Sequence, residues 1–255
     1  GGLPELEEKI QIKPQEIEAF KNAADHMYLP YDKKLKINPQ DDSFLQKQPL
    51  DLKDIPADKF PLLLHYHPLY LYRHQVCKQA DTVLAYLILE DAQSKETMWN
   101  SFRYYEKITT HDSSLSRGVF GIVAARLGME EKAFAYFKNT ARLDLDDEYK
   151  NTQDGLHIAN MGNNYMAIVY GFGGFRLKEN GVFLAPILPR PWTAYRFKIR
   201  IEDSRIMVHV KESECVLTLE SGRAQKIFVY GREYILADVL TVARRSIDSV
   251  EEGSL

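Results

Sequence analysis

Two successive helices are predicted by the stretch LSRGVFGIVAARLGMEEKAFAYFKNTARL, residues 115–143. Apolar residues recur three or four positions apart in both halves, which is the spacing of one face of an α-helix. Gly128, between the halves, is typical of a helix C-cap, and the acidic pair that follows suits the first turn of a new helix. The stretch therefore predicts an antiparallel helical hairpin, and the rest of the chain is interpreted outward from it.

The pattern changes near residue 178. Helical spacing of apolar residues precedes this point, whereas short alternating segments follow it, as expected of antiparallel strands. Three prolines in VFLAPILPRPW, residues 182–192, predict a linker and exclude a continuous helix or a central strand. The sequence thus predicts an α+β fold: a helical domain over residues 1–178, a small antiparallel β domain over 179–240 and a tail over 241–255. The predicted strands are YRFKIRI, IMVHV, CVLTL and KIFVY, beginning at Tyr195, Ile206, Cys215 and Lys226.

Composition narrows the class of protein. The 255 residues are 45% hydrophobic, carry a formal net charge of −3 and contain no block of Lys and Arg, which argues against nucleic acid and acidic membranes as partners. No apolar run reaches the roughly 20 residues that cross a bilayer. The first residues also lack the basic segment followed by an apolar segment that is typical of a signal peptide. Cys77 and Cys215 are far apart and have no metal-ligand spacing, so we expect no disulfide framework, no metal site and a cytoplasmic location.

The segment TTHDSSLS, residues 109–116, concentrates hydroxyl groups directly before the hairpin. One interpretation is helix capping, with Asp112 or Ser113 as the N-cap residue. The other is an anion pocket, most simply for phosphate, in which the hydroxyls, free amides and His111 act as donors. The segment alone leaves both interpretations open.

Three further segments favour a ligand site. In NTQDGLHIANMG, residues 151–162, His157 lies at the start of a further predicted helix. The glycines of GFGGFR, residues 171–176, allow close backbone approach to a ligand or simply a tight turn. Lys78, Gln79 and Asp81 interrupt what is otherwise predicted as an apolar helix. They either lie on a solvated helix face, form an internal network, or face a cavity, where Lys78 and Gln79 would be good donors to sugar hydroxyls. We expect Trp99 and Trp192 to serve in packing.

Taken in order, the motifs KQAD, YYEKITTHDSSLS, ARLDLDD, DGLHIA and GFGGFR resemble the C-terminal half of glycoside hydrolase family 65. The resemblance implies a partial (α/α)6 barrel followed by a small β domain. It also implies an inverting phosphorylase, which cleaves an α-linked disaccharide such as maltose, trehalose, kojibiose or nigerose to give β-glucose 1-phosphate. Inorganic phosphate would be the co-substrate, and no metal or organic cofactor is implied.

The resemblance also implies roles for individual positions. Lys78 and Gln79 match the pair that holds the glucosyl unit next to the broken bond. Supporting roles are expected for His111, Asp112 and Asp154, with Asp112 capping the helix or holding a neighbour in place rather than acting as a base. Five positions match the groups that surround phosphate in the phosphorylases: Ser113, Ser114, His157, Gly173 and Gly174.

The general acid of the family is a glutamate upstream of all these motifs, and no matching motif occurs here. We therefore expect this chain alone to have little or no activity, and to self-associate or to need a complementing N-terminal half. Two alternatives stay open: a hydrolase of the same fold, resembling a trehalase or kojibiose hydrolase, and a non-catalytic sugar-binding or scaffold module. The identity of the disaccharide is not determined by these residues.

Overall fold

The structure is a computed structural model that describes residues 4–178 and 180–245. Within them, all the α-helices lie in the first 166 residues, and a π-helical turn, Ala167–Phe172, directly continues the last helix. The helices are α1 Pro4–Ile10, α2 Pro14–Asp25, α3 Pro68–Leu71, α4 Asp81–Ile88, α5 Lys95–Ile108, α6 Ser116–Arg126, α7 Glu130–Arg142 and α8 Ile158–Met166.

Helix α6 is the centre of the helical domain. Phe120, Ile122 and Val123 have no exposed surface, and α4, α5, α7, α8 and the π-helical turn all pack around it. A helix that is apolar on every side is stable only when it is enclosed in this way. Helices α6 and α7 form the predicted hairpin, and Gly128 follows α6 with a positive φ of 81°, as predicted for a C-cap.

Residues 26–67 wrap the helices without forming an α-helix of their own. Phe44 anchors this excursion, since its ring is buried against Tyr104 and Tyr105 of α5. In the middle of the excursion, strand β1, Gln48–Pro49, pairs in parallel with β2, His74–Gln75. The excursion therefore brings its side chains against the segment that precedes α4.

Eight further strands form two four-stranded sheets in the described residues. The first sheet, in the order β10-β7-β6-β5, is antiparallel throughout; the second, in the order β3-β4-β8-β9, is mixed because β4 and β8 run parallel. All four predicted strands are present as β5 to β8. The strands are β3 Arg176–Lys178, β4 Gly181–Leu184, β5 Ala194–Ile201, β6 Ser204–Lys211, β7 Glu214–Ser221, β8 Gln225–Val229, β9 Arg232–Leu236 and β10 Val239–Ala243.

The structure corrects two details of the predicted linker. Residues 182–184 form a central strand, because Val182 and Leu184 are buried in the second sheet and the first proline comes only at position 186. The boundary predicted at residue 178 lies inside the β3–β4 pair, so residues 176–178 belong to the sheet that follows. Strand β10 runs to residue 243, into the segment predicted as a tail, and residues 246–255 lie outside the described residues.

Trp192 joins the helical and β domains. Its ring meets Phe134, Phe137 and Phe172 edge-on at centroid distances of 5.3–5.7 Å, and it also contacts Tyr195 of β5. Such aromatic clusters bury large apolar areas in defined geometry. The predicted packing role of Trp192 is confirmed. Within the described ranges, no helix combines the length and apolarity needed to cross a bilayer.

Candidate active site

Lys78 and Gln79 lie in a bend before α4, so the predicted helical position is wrong. The neighbouring Cys77 forms a parallel bridge with the end of α5: its amide donates to Ile108 and its carbonyl accepts from Thr110, both at 2.9 Å. These bonds fix Cys77 beside α5, the chain bends at the next two residues, and α4 begins only at Asp81. Lys78 is exposed and Gln79 is half-buried, so neither side chain interrupts an apolar helix face.

Both side chains nevertheless line a polar cavity of about 290 Å³. The Gln79 amide donates to the Asp81 carboxylate at 3.0 Å, and the Cys77 thiol donates to Gln40 at 3.0 Å. Amides, a carboxylate and an ammonium group are suitable partners for sugar hydroxyls. The cavity is lined by Gln40, Phe44, Lys47, Tyr72, His74, Val76, Cys77, Lys78, Gln79 and Asp81.

The hydroxyl segment does not cap α6 in the predicted way. Leu115 is the N-cap residue, and no side chain caps the helix. Ser113 instead holds the turn, because its carbonyl accepts from the Ser116 amide at 3.0 Å. Asp112 accepts from the Leu62 amide at 2.8 Å, as expected for a carboxylate that holds a neighbour in place. Among the described residues nothing hydrogen-bonds the half-buried Ser114 hydroxyl, which leaves it free for a ligand.

His111 lies at the base of this segment with a positive φ of 57°. Its Nδ1 is 2.8 Å from the buried Ser116 hydroxyl, and its ring packs edge-on against Phe120. Burial, reinforced by the charge of Arg117, lowers the pKa of His111 to about 4. His111 is therefore a neutral, packed histidine that shapes the segment from below.

Lys78 connects the cavity to the hydroxyl segment. Its carbonyl accepts from the Thr110 hydroxyl at 3.4 Å. Burial raises the pKa of Asp112, and the hydrogen bonds from Leu62 and Thr110 and the positive charge of Lys78 oppose this shift. The two groups that the sequence predicted for sugar and for phosphate are thus neighbours.

The loop between α7 and α8 brings His157 to the same place. Within this loop we define the acidic loop as residues 144–149, DLDDEY. The Tyr149 hydroxyl donates to the His111 carbonyl at 2.7 Å, and the Tyr149 ring meets the His157 ring edge-on at 6.2 Å. His157 is the N-cap residue of α8, which confirms its predicted position at a helix start.

Asp144 holds His157 through two contacts. One carboxylate oxygen is 2.5 Å from Nδ1 of the ring, and the other accepts from the His157 amide at 3.0 Å. The hydrogen bond from the histidine side chain, followed by that from its amide, lowers the pKa of Asp144 against the opposing effect of desolvation. Sequence reasoning assigned no role to Asp144 or Tyr149, although an acidic run between two predicted helices was a signal that this connection is more than a turn.

Gly173 and Gly174 approach protein rather than an open pocket. A Cβ on Gly173 would lie 2.6 Å from the Phe197 ring, and a Cβ on Gly174, whose φ is 60°, would lie 2.6 Å from the Ala185 carbonyl oxygen. The nearest atoms to both positions belong to the π-helical turn and the β domain, not to Ser113 or His157. Asp154 is exposed in a short turn before Gly155 and makes no side-chain hydrogen bond with any described residue.

Comparison with known proteins identifies the family of these motifs. The model of the glycosyl hydrolase family 65 central catalytic domain matches residues 2–166, and that of the family 65 C-terminal domain matches residues 175–236. The chain is 54% identical over 234 residues to the α,α-trehalose phosphorylase of Geobacillus stearothermophilus and 34% identical over 227 residues to the maltose phosphorylase of Bacillus subtilis. These alignments cover 92% and 89% of this chain but 31% and 30% of the two relatives.

A solved structure supports the same conclusion about the fold. A human-microbiome protein provisionally named a kojibiose phosphorylase superposes with a TM-score of 0.83 at 30% sequence identity. The superposition covers 95% of this chain and 32% of that protein. The predicted order, part of a helical barrel followed by a small β domain, is confirmed, and the chain spans about a third of the length of these relatives.

Proposed function

Since the chain belongs to glycosyl hydrolase family 65, we propose that it supplies the phosphate-binding part of the active site of an inverting α-glucoside phosphorylase. In this reaction inorganic phosphate attacks the anomeric carbon of an α-linked disaccharide. The products are β-glucose 1-phosphate and the released acceptor sugar, and no metal or organic cofactor takes part.

One geometric observation carries the proposal. Tyr149 lies between the hydroxyl segment, whose His111 carbonyl it binds, and His157, whose ring it contacts. Ser113 and Ser114 are thereby placed near His157, the serine hydroxyls as donors and the histidine ring as a further hydrogen-bonding group. Phosphate is both the nucleophile and an anion, so its site needs donors that position it and no base that deprotonates it. Lys78, next to Thr110, would receive the glucosyl unit beside the phosphate.

The engagement of the nearby carboxylates supports phosphorolysis over hydrolysis. An inverting hydrolase needs a free carboxylate as general base, about 6.5–9.5 Å from the acid, to activate water. Asp112 already accepts from the Leu62 amide, and both oxygens of Asp144 contact His157. Each carboxylate therefore has a structural partner in place of a water to activate.

The other catalytic groups that the reaction needs are proposed to lie on polypeptide outside this sequence. We propose that the general acid, a glutamate in the family, is carried by the part of the polypeptide that precedes these motifs in the relatives. Relatives at 54% and 43% identity are both named α,α-trehalose phosphorylase, so trehalose is the first disaccharide to assay, with maltose and kojibiose for comparison. Lys78 and Gln79 would bind the glucosyl unit common to all three.

Calorimetric titration of the chain with inorganic phosphate tests the proposal. We expect saturable binding that is strongly weakened, but still measurable, in Ser113→Ala and in His157→Ala. Matched controls are Ser221→Ala and His209→Ala on strands β7 and β6, which should bind phosphate as the wild type does. A folded wild-type chain that binds no phosphate would contradict the proposal and favour a hydrolase or a sugar-binding module.

A second experiment tests the reaction. The chain is mixed with the N-terminal part of the G. stearothermophilus relative, up to the point where the alignment begins, and supplied with trehalose. Glucose 1-phosphate that forms only when phosphate and both pieces are present supports the proposal. Glucose release at equal rates with and without phosphate would identify a hydrolase.

A further inference from the structure

We infer that Asp144 is a positioning residue for phosphate binding: it fixes the ring of His157 so that Nε2 is the atom offered to the ligand. The inference rests on the proposed function, because it takes His157 as a phosphate ligand. It assigns a role to a residue that the motifs left without one.

The contacts of Asp144 define the orientation of the ring. Its two carboxylate oxygens bind two different parts of one residue, Nδ1 of the ring at 2.5 Å and the backbone amide at 3.0 Å. Binding to the amide fixes the backbone of His157 at the start of α8, and binding to Nδ1 fixes rotation about the side-chain bonds. The pair is largely shielded from water, with 19% of the His157 side chain and 11% of the Asp144 side chain exposed. A shielded hydrogen bond holds geometry better than one that competes with solvent.

The chemistry of the pair follows from the acceptor character of a carboxylate. An ionised carboxylate has no proton to donate, so the proton of this hydrogen bond is on Nδ1 in both protonation states of the ring. Nε2 then accepts from a phosphate hydroxyl when the ring is neutral and donates to a phosphate oxygen when the ring is charged. Within the described residues, no side chain or amide hydrogen-bonds Nε2, so this atom is free for a ligand.

The other polar groups near the pair have hydrogen-bond partners elsewhere, so Asp144 is the residue that fixes the ring. Tyr149 touches the His157 ring edge-on, but its hydroxyl is engaged by the His111 carbonyl. Asp147 is turned to the Asn151 and Thr152 amides at 3.1 Å, which shapes the chain that leads to His157 without reaching the ring. Asp146 is paired with Arg142 on the exposed side of the acidic loop.

A double-mutant cycle with phosphate titration tests the inference. Asp144→Asn keeps the shape of the side chain but removes its charge and one of its two acceptors. We expect it to weaken phosphate binding about tenfold, as loss of a partner that orients a ligating histidine does elsewhere. In a His157→Ala background, Asp144→Asn should cause no further loss, because a residue that acts through His157 has nothing left to orient. Asp146→Asn, a change of the same kind in the same loop, should leave binding unaltered.

A general structural role gives a different result. If Asp144 only stabilised the loop, its replacement would weaken binding by the same factor with and without the His157 side chain. That additivity, or unaltered binding by Asp144→Asn alone, would overturn the inference while leaving the proposed function intact.

Nitrogen NMR of the histidine ring provides a readout that needs no phosphate. The geometry requires the Nδ1–H tautomer in the neutral ring of His157 and its partial loss in Asp144→Asn. A neutral wild-type ring that carries its proton on Nε2 rather than Nδ1 would overturn the inference even if phosphate binds. If the Nδ1–H tautomer is present but the wild-type chain binds no phosphate, the proposed function fails, and the phosphate role of Asp144 fails with it.

Discussion

The Tyr149 hydroxyl donates a 2.7 Å hydrogen bond to the carbonyl oxygen of His111, a residue held at a positive φ. Burial raises the pKa of Tyr149, so the hydroxyl remains a donor at neutral pH. Tyr149→Phe removes this donor and leaves a half-buried carbonyl without its partner. We expect the free energy of unfolding to fall by about 1–2 kcal/mol and phosphate affinity to fall severalfold, measured by urea unfolding and calorimetry.

Tyr165→Phe is the matched control for this change. The Tyr165 hydroxyl makes a longer, exposed hydrogen bond of 3.3 Å to the Lys198 carbonyl, so its loss should change stability by less than about 0.5 kcal/mol. Equal effects of the two substitutions would show that the hydrogen bond of Tyr149 contributes no more to stability or phosphate binding than an exposed one.

Gly173 allows us to separate packing from ligand binding. A Cβ at this position would lie 2.6 Å from the Phe197 ring and 2.6 Å from the Val169 carbonyl oxygen, so Gly173→Ala forces the β domain away from the π-helical turn. We expect a loss of about 1–3 kcal/mol in the free energy of unfolding, measured by urea denaturation. Weakened phosphate binding at unchanged stability would instead support the role that the family resemblance implied.

Gly162 provides the contrast on the preceding helix. It is exposed within α8, and a Cβ there meets nothing within 4 Å. Gly162→Ala should therefore stabilise the chain by about 0.5–1 kcal/mol through helix propensity alone.

His111 predicts a specific dependence of stability on pH. Its pKa is lowered to about 4 in the folded chain, against about 6.5 for an unfolded histidine. Between these values the unfolded state binds a proton that the native state does not, so stability falls as the pH drops from about 6.5 to 4, by at most about 1.4 kcal/mol per pH unit.

His111→Asn isolates this contribution, because asparagine tolerates a positive φ and does not titrate. Asp112, whose pKa is raised, contributes with the opposite sign but is present in both chains and largely cancels. The difference in urea midpoint between wild type and variant should be constant above pH 7 and shrink below pH 6.5. A constant difference down to pH 4.5 would contradict the neutral, buried state of His111.

Local patterns predicted much of the fold. The α6–α7 hairpin and strands β5 to β8 follow from periodicities of 3.6 and 2 within single segments, and such signals depend only on neighbouring residues. Lys78 and Gln79 were misplaced because their backbone conformation depends on the bridge between Cys77 and the end of α5, about 30 positions along the chain. The same limit applies to Asp112, whose partner is the amide of Leu62.

For the site, too, some features could be predicted from single segments, and others depend on residues that are distant in sequence. The motif order pointed to the hydroxyl segment and to His157, and the structure brings these together through Tyr149. The contact between Asp144 and His157 could not be predicted from the sequence. Three aspartates lie within four residues, and nothing in the sequence indicates which of them turns inward. The resemblance implies phosphate contacts for Gly173 and Gly174, whereas the structure places them against Phe197 and Ala185. A sequence does not distinguish close approach to a ligand from close approach to another part of the chain.

Glu90 is the counter-charge of a buried cluster that joins the two domains. Its carboxylate contacts Arg126 of α6 and lies 2.6 Å from Nε of Arg176 on β3, and the three side chains are only 10–12% exposed. Burial lowers the pKa of Arg126 to about 9 and that of Arg176 to about 10. Glu90→Gln would leave two buried guanidinium groups without a full counter-charge, and we expect a loss of about 3–5 kcal/mol in the free energy of unfolding.

The exposed pair of Glu96 and Lys36 is the control for Glu90. Its atoms are 2.6 Å apart, as close as those of the buried pair, but the side chains are 60% and 49% exposed. Water and salt screen such a pair, so Glu96→Gln should change stability by less than about 1 kcal/mol. Because Arg176 also donates to the carbonyls of Tyr170 and Phe175, loss of Glu90 should loosen the junction of the π-helical turn with β3 before the helical core unfolds. Hydrogen exchange should therefore rise first at residues 170–178, and exchange that rises equally in α6 would show that the cluster stabilises the whole chain rather than the domain junction.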